Sequence, residues 1–300
     1  MVDVVDGGNA TSTFTGTLDG GNAFTVFPPE PVLVPEMSPV PHIEITVDTV
    51  IPGTVTATLY RIVDGRAMRV RGLVNVYAAG GFGGIDMEAP FRTAITYRAE
   101  FFDSRGISLG FGESSETYLD FVGTVIHQPV DPTRSAMVIL EQNAAKTLTR
   151  PFDGSVVRPL GRSVPVYIGN GRSGLEDITL DCITLTRADA ASLRSVFGGY
   201  GDGDEQLPVI CFRSSLPTGL PAVLFAVIPK PIEEPYGWSN DDEAIVWHLA
   251  GQEVAPPVES VVRFGLTYSS FENAFASYSD FEAAYLTYLA AETDFDLAGA

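Results

Sequence analysis

A chain of 300 residues is long enough for two or three domains with substantial cores. Its 38 acidic residues against 18 basic ones give a net charge of −20, which opposes approach to a phosphate backbone or an anionic bilayer and excludes nucleic acid and membrane insertion from the expected partners. Glycine (30) and proline (21) are frequent and punctuate short β-branched and aromatic runs, so the expected fold is mainly β, built as tandem β-sandwich-type domains with a short helical C-terminal segment.

Residues 1–41 read as a Gly/Pro-rich extended arm. DGGNA occurs at 6–10 and again at 19–23, and a proline-laden connector covers 28–41. Few apolar side chains are available here to offset backbone ordering. Residues 1–6 carry two aspartates and neither a basic nor an apolar leader region, so no export by a signal peptide is expected. The longest strongly apolar stretch, 222–228, is far too short to cross a bilayer.

Across 42–127, alternating runs at 43–47, 55–62, 73–77, 95–102 and 118–126 are separated by turn signals. Ile95, Tyr97 and Ala99 fall on one face and are expected in a core. Short strands at this spacing predict an immunoglobulin-like or fibronectin-III-like sandwich, without the Cys–Trp–Cys pattern of antibody domains. A linker is expected at 127–132. It leads to a second β-rich domain over 128–257, either α+β or a sandwich, with strands near 138–140, 164–168, 178–185, 209–212, 222–228 and 244–249. One helix is predicted at about 187–197, with Thr186 as N-cap, Asp189 three residues on, and a stripe of Ala190, Leu193, Val196 and Phe197.

Residues 258–300 contain three ten-residue repeats beginning at 267, 277 and 287. Tyr268, Phe271, Phe275, Tyr278, Phe281, Tyr285 and Tyr288 recur at spacings of three and four, the spacing of neighbours on a helix face. The expectation is a helical assembly segment that docks these aromatics on another chain. Folding back on its own second domain is the alternative. A ten-residue period drifts around a straight helix, so a break near Ser277, where Ser277 to Asp280 resembles a capping box, is one solution.

Motifs for chemistry are sparse. GNGRSG at 169–174 fits G-x-G-x-x-G, but the alternating run that follows predicts a hairpin loop in place of the helix a dinucleotide site needs. AAGGFGG at 78–84 lacks the lysine of a phosphate-binding loop and reads as a loop. His42, His127 and His248 lie in separate segments and read as surface or satisfied core residues, and no zinc spacing occurs. The acidic clusters at 202–205 and 240–243 read as solvated loops, with Ca²⁺ binding left open. Cys182 and Cys211 sit in apolar runs and read as inert core thiols, with pairing left open. Arg66, Arg69 and Arg71 form the one basic cluster and are candidates for pairing with an acidic patch on another subunit. No catalytic residues, cofactors or metal ligands are expected. Tyr200, Tyr236 and Trp238, in glycine-containing loops, are candidates for stacking on sugars.

Several stretches together resemble the minor tail proteins of bacteriophages that infect actinobacteria. They are YRIVDGRAMRVRGLVNVYAAGG (60–81), EAPF (88–91), HQPVDPTR (127–134), PLGRSV (159–164), the terminal tyrosine repeats and the glycine-rich start. The second domain is also similar to the β-sandwich domains of distal tail proteins. The resemblance implies a non-enzymatic structural component of a virion tail or tail tip, made and assembled in the host cytoplasm. Its implied partners are other phage tail proteins and further copies of itself in a symmetric homo-oligomer. A carbohydrate- or receptor-binding module at the tail tip, contacting a host-surface glycan, is the alternative.

Overall fold

The computed structural model describes residues 29–38, 40–141, 144–145, 148–198, 207–237, 243–259, 274–275 and 277–285. The protein is mainly β, and two hydrophobic cores divide the strands between them.

The first body contains β1 (Val32–Glu36), β2 (His42–Val47), β3 (Thr56–Val63), β4 (Arg66–Arg69), β5 (Val76–Tyr77), β6 (Phe82–Asp86), β7 (Ala94–Phe102) and β8 (Ser108–Tyr118). One antiparallel sheet has the order β1-β2-β6. The other has the order β4-β3-β7-β8, with β5 added to the start of β3. Period-two alternation places Ile43, Ile45 and Val47 from β2 in the same core as Ile95, Tyr97, Ala99 and Phe101 from β7. The core face expected for Ile95, Tyr97 and Ala99 is therefore observed. Asp64 and Gly65, both at positive φ, make the two-residue turn that sets Val63 opposite Arg66.

The second body contains β9 (Thr124–His127), β10 (Ser135–Leu140), β11 (Phe152–Val157), β12 (Val166–Arg172), β13 (Ile178–Thr184), α1 (Arg187–Val196), β14 (Ile210–Ser214), β15 (Val223–Val227), β16 (Ile232–Pro235) and β17 (Ile245–Glu253). Six strands pair in the order β13-β10-β9-β14-β15-β17, and β17 pairs back onto β13 from Ile245 to Gly251, so the ring closes. The far edge of β17 is shared: β16 covers Ile245 to His248, and β15 takes Gln252 and Glu253. At this handover a Cβ on Gly251 would lie 2.5 Å from the Val227 carbonyl oxygen, so glycine permits the close approach. Alternation in the sequence is equally compatible with a sandwich and with a closed ring, because both have one inward face. Which of them forms depends on pairings between residues far apart in the chain.

Helix α1 forms as the sequence predicts. The Thr186 hydroxyl accepts from the Asp189 N–H, the Asp189 carboxylate accepts from the Thr186 N–H, and Ala190, Leu193 and Val196 are buried. The Gln128 side-chain amide donates to the Val196 carbonyl at 2.7 Å and satisfies one orphan group of the helix C-terminus.

The domain boundaries differ from those expected. Residues 32–36 pair with β2, and the Glu113 N–H donates to the Pro29 carbonyl, so the first body begins before residue 42. The expected linker at 127–132 begins inside β9, whose four residues are all buried. Val125 belongs to the first core and Ile126 to the second, because successive side chains on a strand point to opposite faces. In the neighbouring β14, Ile210 and Phe212 join the second core, while Cys211 and Arg213 stand opposite His127 and Val125 on the other face. The β9–β14 pair is thus a wall common to both bodies.

Candidate assembly site

The junction behind that wall is built from buried charge. Arg61 on β3 donates from Nη1 to both carboxylate oxygens of Asp86 on β6, at 2.6 and 2.7 Å. Asp86 also accepts from the Tyr97 hydroxyl at 2.7 Å and from the Glu88 N–H at 2.9 Å. Burial opposes the Arg61 cation, but Asp86, Tyr97 and Glu88 together hold it firmly protonated. Burial, and then the Asp86 charge, push the Tyr97 phenol well above its ordinary value. Arg71 donates from Nε to Glu88 at 2.6 Å and from its two Nη atoms to the carbonyls of Val258 and Pro257, and the Gly72 N–H donates to Glu259. The chain leaving the second body is therefore strapped to the first at 257–259. Arg71 was expected to be available to another subunit, but it is buried and internally paired because Glu88 and the strap carbonyls use its donors. Arg66 and Arg69 remain exposed on β4.

From the second body, Arg213 reaches across the wall. It is wholly buried and donates to the carbonyls of Ala89 at 3.0 Å and Pro41 at 2.8 Å, and its guanidinium lies 4.7 Å from the Phe91 ring centroid. Burial brings it down to about 10. Burial likewise pushes the Cys182 thiol up to about 12 and the Cys211 thiol upward, and both cysteines are free, as inert core thiols would be.

Of the three histidines, His42 bonds the Val40 carbonyl, and the half-exposed His248 bonds Asp181 and Glu234. His127 departs from the satisfied-core expectation. It is fully buried, and neither ring nitrogen has a hydrogen-bond partner among the described residues. Burial, and after it the cations Arg213 and Arg71, hold its pKa well below the usual 6.5. The unfolded chain therefore binds a proton below pH 6.5 that the folded chain refuses. Stability contributed by neutral His127 is complete above 6.5, and up to about 1.4 kcal/mol is lost for each pH unit below it, until the folded imidazole itself titrates. Unfolding free energies measured from pH 7.5 to 5 should show this decline, and a His127→Leu variant should have a shallower one.

The sequence-predicted site residues are only partly described. Tyr268, Phe271 and Tyr288 lie outside the described residues, as do Tyr200 and Trp238. Tyr236 is exposed beside β16, and its N–H donates to the Ala244 carbonyl. The helix α2 (Tyr278–Ala284) begins at Ser277, whose hydroxyl accepts from the Asp280 N–H. Ser277 caps this helix as its sequence suggests, while residues 260–273 and 276, on which a break between two helices depends, lie outside the described residues. Phe281 gathers Phe275, Tyr278 and Tyr285 around it at ring-centroid distances of 5.3–5.8 Å. The helix buries none of its residues; the cap and this aromatic cluster are among its contacts.

Neither glycine motif forms a nucleotide cradle. The 169–174 motif begins within β12, which pairs with β11, and no helix follows it before β13. It is therefore the end of a strand; a loop had been expected there. Phe82 to Gly84, read as loop, belong to β6 against β2. Among the described residues, no group of three or more His, Cys, Asp or Glu could hold a metal ion, and no helix is long and apolar enough to cross a membrane.

Sequence reasoning missed β11 and hence the β11–β12 hairpin, the two-stranded sheet whose side chains belong to neither core. The available signal was the β-branched dipeptide Val156-Val157 and the valines at 164 and 166, on either side of the Pro159–Gly161 turn. No family model, curated protein or solved structure matches the chain.

Proposed function

We propose that the chain is a non-enzymatic structural component of a bacteriophage tail or tail tip that acts through protein–protein assembly, with an immunoglobulin- or fibronectin-III-like first body. The observation that carries this reading is the β11–β12 hairpin, which stands outside both cores with apolar side chains on its surface. Contiguous exposed apolar surface marks an interaction site. Buried Arg213 and Arg71 support the same reading, because their donors are engaged on carbonyls that join the two bodies. The segments resembling actinobacteriophage minor tail proteins supply the setting, and the aromatic C-terminal repeats supply a second assembly element.

Truncation after Glu259 tests the second element while keeping the strap on Arg71. Phage producing the truncated chain should form tails with much less of this protein in them, while the melting profile of the purified chain stays unchanged. Normal incorporation, or unfolding of the two bodies, would remove the assembly role of residues 260–300.

A further inference from the structure

The β11–β12 hairpin differs from the rest of the molecule in both packing and charge. Val156 pairs with Tyr167, and the Phe152 ring meets the Tyr167 ring at 4.9 Å, so these three share one face. Val157 and Ile168 lie on the other. Val156 is 60% exposed, Ile168 is 61% exposed, and Leu160 at the tip is fully exposed. A strand that is apolar on both faces is the pattern of a strand covered on both faces, and a lone two-stranded hairpin is marginally stable in water. Residues 149–173 contain Arg150, Arg158, Arg162 and Arg172 against Asp153, a local charge of +3 that leaves −23 on the remainder of a chain whose total is −20. Arg158 and Arg162 at the tip are exposed and form no ion pair among the described residues.

A surface of opposite charge and similar apolarity occurs on the first body. Across the β7–β8 hairpin, 94–118, Glu100, Asp103, Glu113 and Glu116 outnumber Arg98, which lies over Phe111, and Arg105 to give −2. Ile107, Leu109 and Phe111 are exposed there, and β8 is the last strand of its sheet. We propose that the β11–β12 hairpin is an arm that docks on a second copy of this chain, with the β7–β8 hairpin as the receiving surface. The inference rests on the assembly reading above and names the partner. Arm and receiver are different parts of the molecule, so the contact is head-to-tail. Repeated from copy to copy, it closes into a ring or continues as a filament.

The test is the mass of the purified full-length chain in solution, by sedimentation velocity at low and high salt. The wild-type chain should sediment as an oligomer that salt weakens. Arg158→Glu with Arg162→Glu should give monomer with an unchanged melting temperature, because both side chains are exposed. Glu113→Arg with Glu116→Arg should do the same, and all four substitutions in one chain should restore the oligomer. A monomeric wild-type chain, or an arginine pair variant that assembles normally, would overturn the docking. Failure of the four-substitution chain to reassemble would overturn β8 as the receiver. A chain found in virion tails yet monomeric in solution would refute this contact and leave the tail reading intact; self-association of a chain absent from tails would do the reverse.

Discussion

Replacing Asp86 by alanine is expected to destabilise the protein by about 3–5 kcal/mol, the scale on which removing one partner of a buried ion pair is felt. Asp86 accepts from Arg61, from the Tyr97 hydroxyl and from the Glu88 N–H, and all of these groups are buried. The substitution leaves a guanidinium that is 3% exposed and has an unpaired Nε with only the Glu88 carboxylate, 3.8 Å away, as its counter-charge. Denaturant unfolding measures the loss, and a double variant, Asp86→Leu with Arg61→Met, separates its causes. Removing both charges together should recover much of the stability, because the cost comes mainly from a buried cation left with one distant counter-charge and not from loss of a net attraction. A loss below about 1 kcal/mol for Asp86→Ala would mean that water reaches the network.

Arg213→Ala is expected to cost about 2–4 kcal/mol and to change the form of unfolding. The substitution leaves the buried carbonyls of Pro41 and Ala89 without this donor, at about 1–3 kcal/mol each, offset in part because a desolvated cation is also removed. Because Arg213 joins the second body to loops of the first, the wild-type chain should melt in one calorimetric transition and the variant in two. A single transition of unchanged enthalpy would assign the coupling to the strap at 257–259 or to Val125.

How much of this was legible in the sequence follows from the range of the forces concerned. Helix α1 was legible to within a residue at its C-terminal end because its cap, its stripe and its stop lie within one local window. The core face of β7 was legible because alternation is local too. β4 and β16 were not, because their residues are exposed and carry no alternation. The strands of the shared wall were read as strands, but its last β9 residue, His127, was assigned to a linker because His127-Gln-Pro-Val-Asp-Pro has turn composition. Burial of β9 on both faces comes from the two cores on either side of it and depends on its pairing with β14, which is remote in sequence. For the same reason, Arg71 was read as a surface cation: its partners Glu88, Pro257 and Val258 are distant in the chain. Of the expected aromatic segment, the helix start at Ser277 was legible from its capping residues. The basic arm was missed because four arginines spread over 23 residues do not form a run.

The central claim is that this chain is a structural part of a virion tail, and subunit-resolved imaging of purified virions tests it most directly. The account predicts repeated copies in the tail or its tip, each showing two β bodies joined through the β9–β14 wall, at a stoichiometry that matches peptide abundance in the same preparation. Virions of full infectivity that contain no copy of the chain would contradict it.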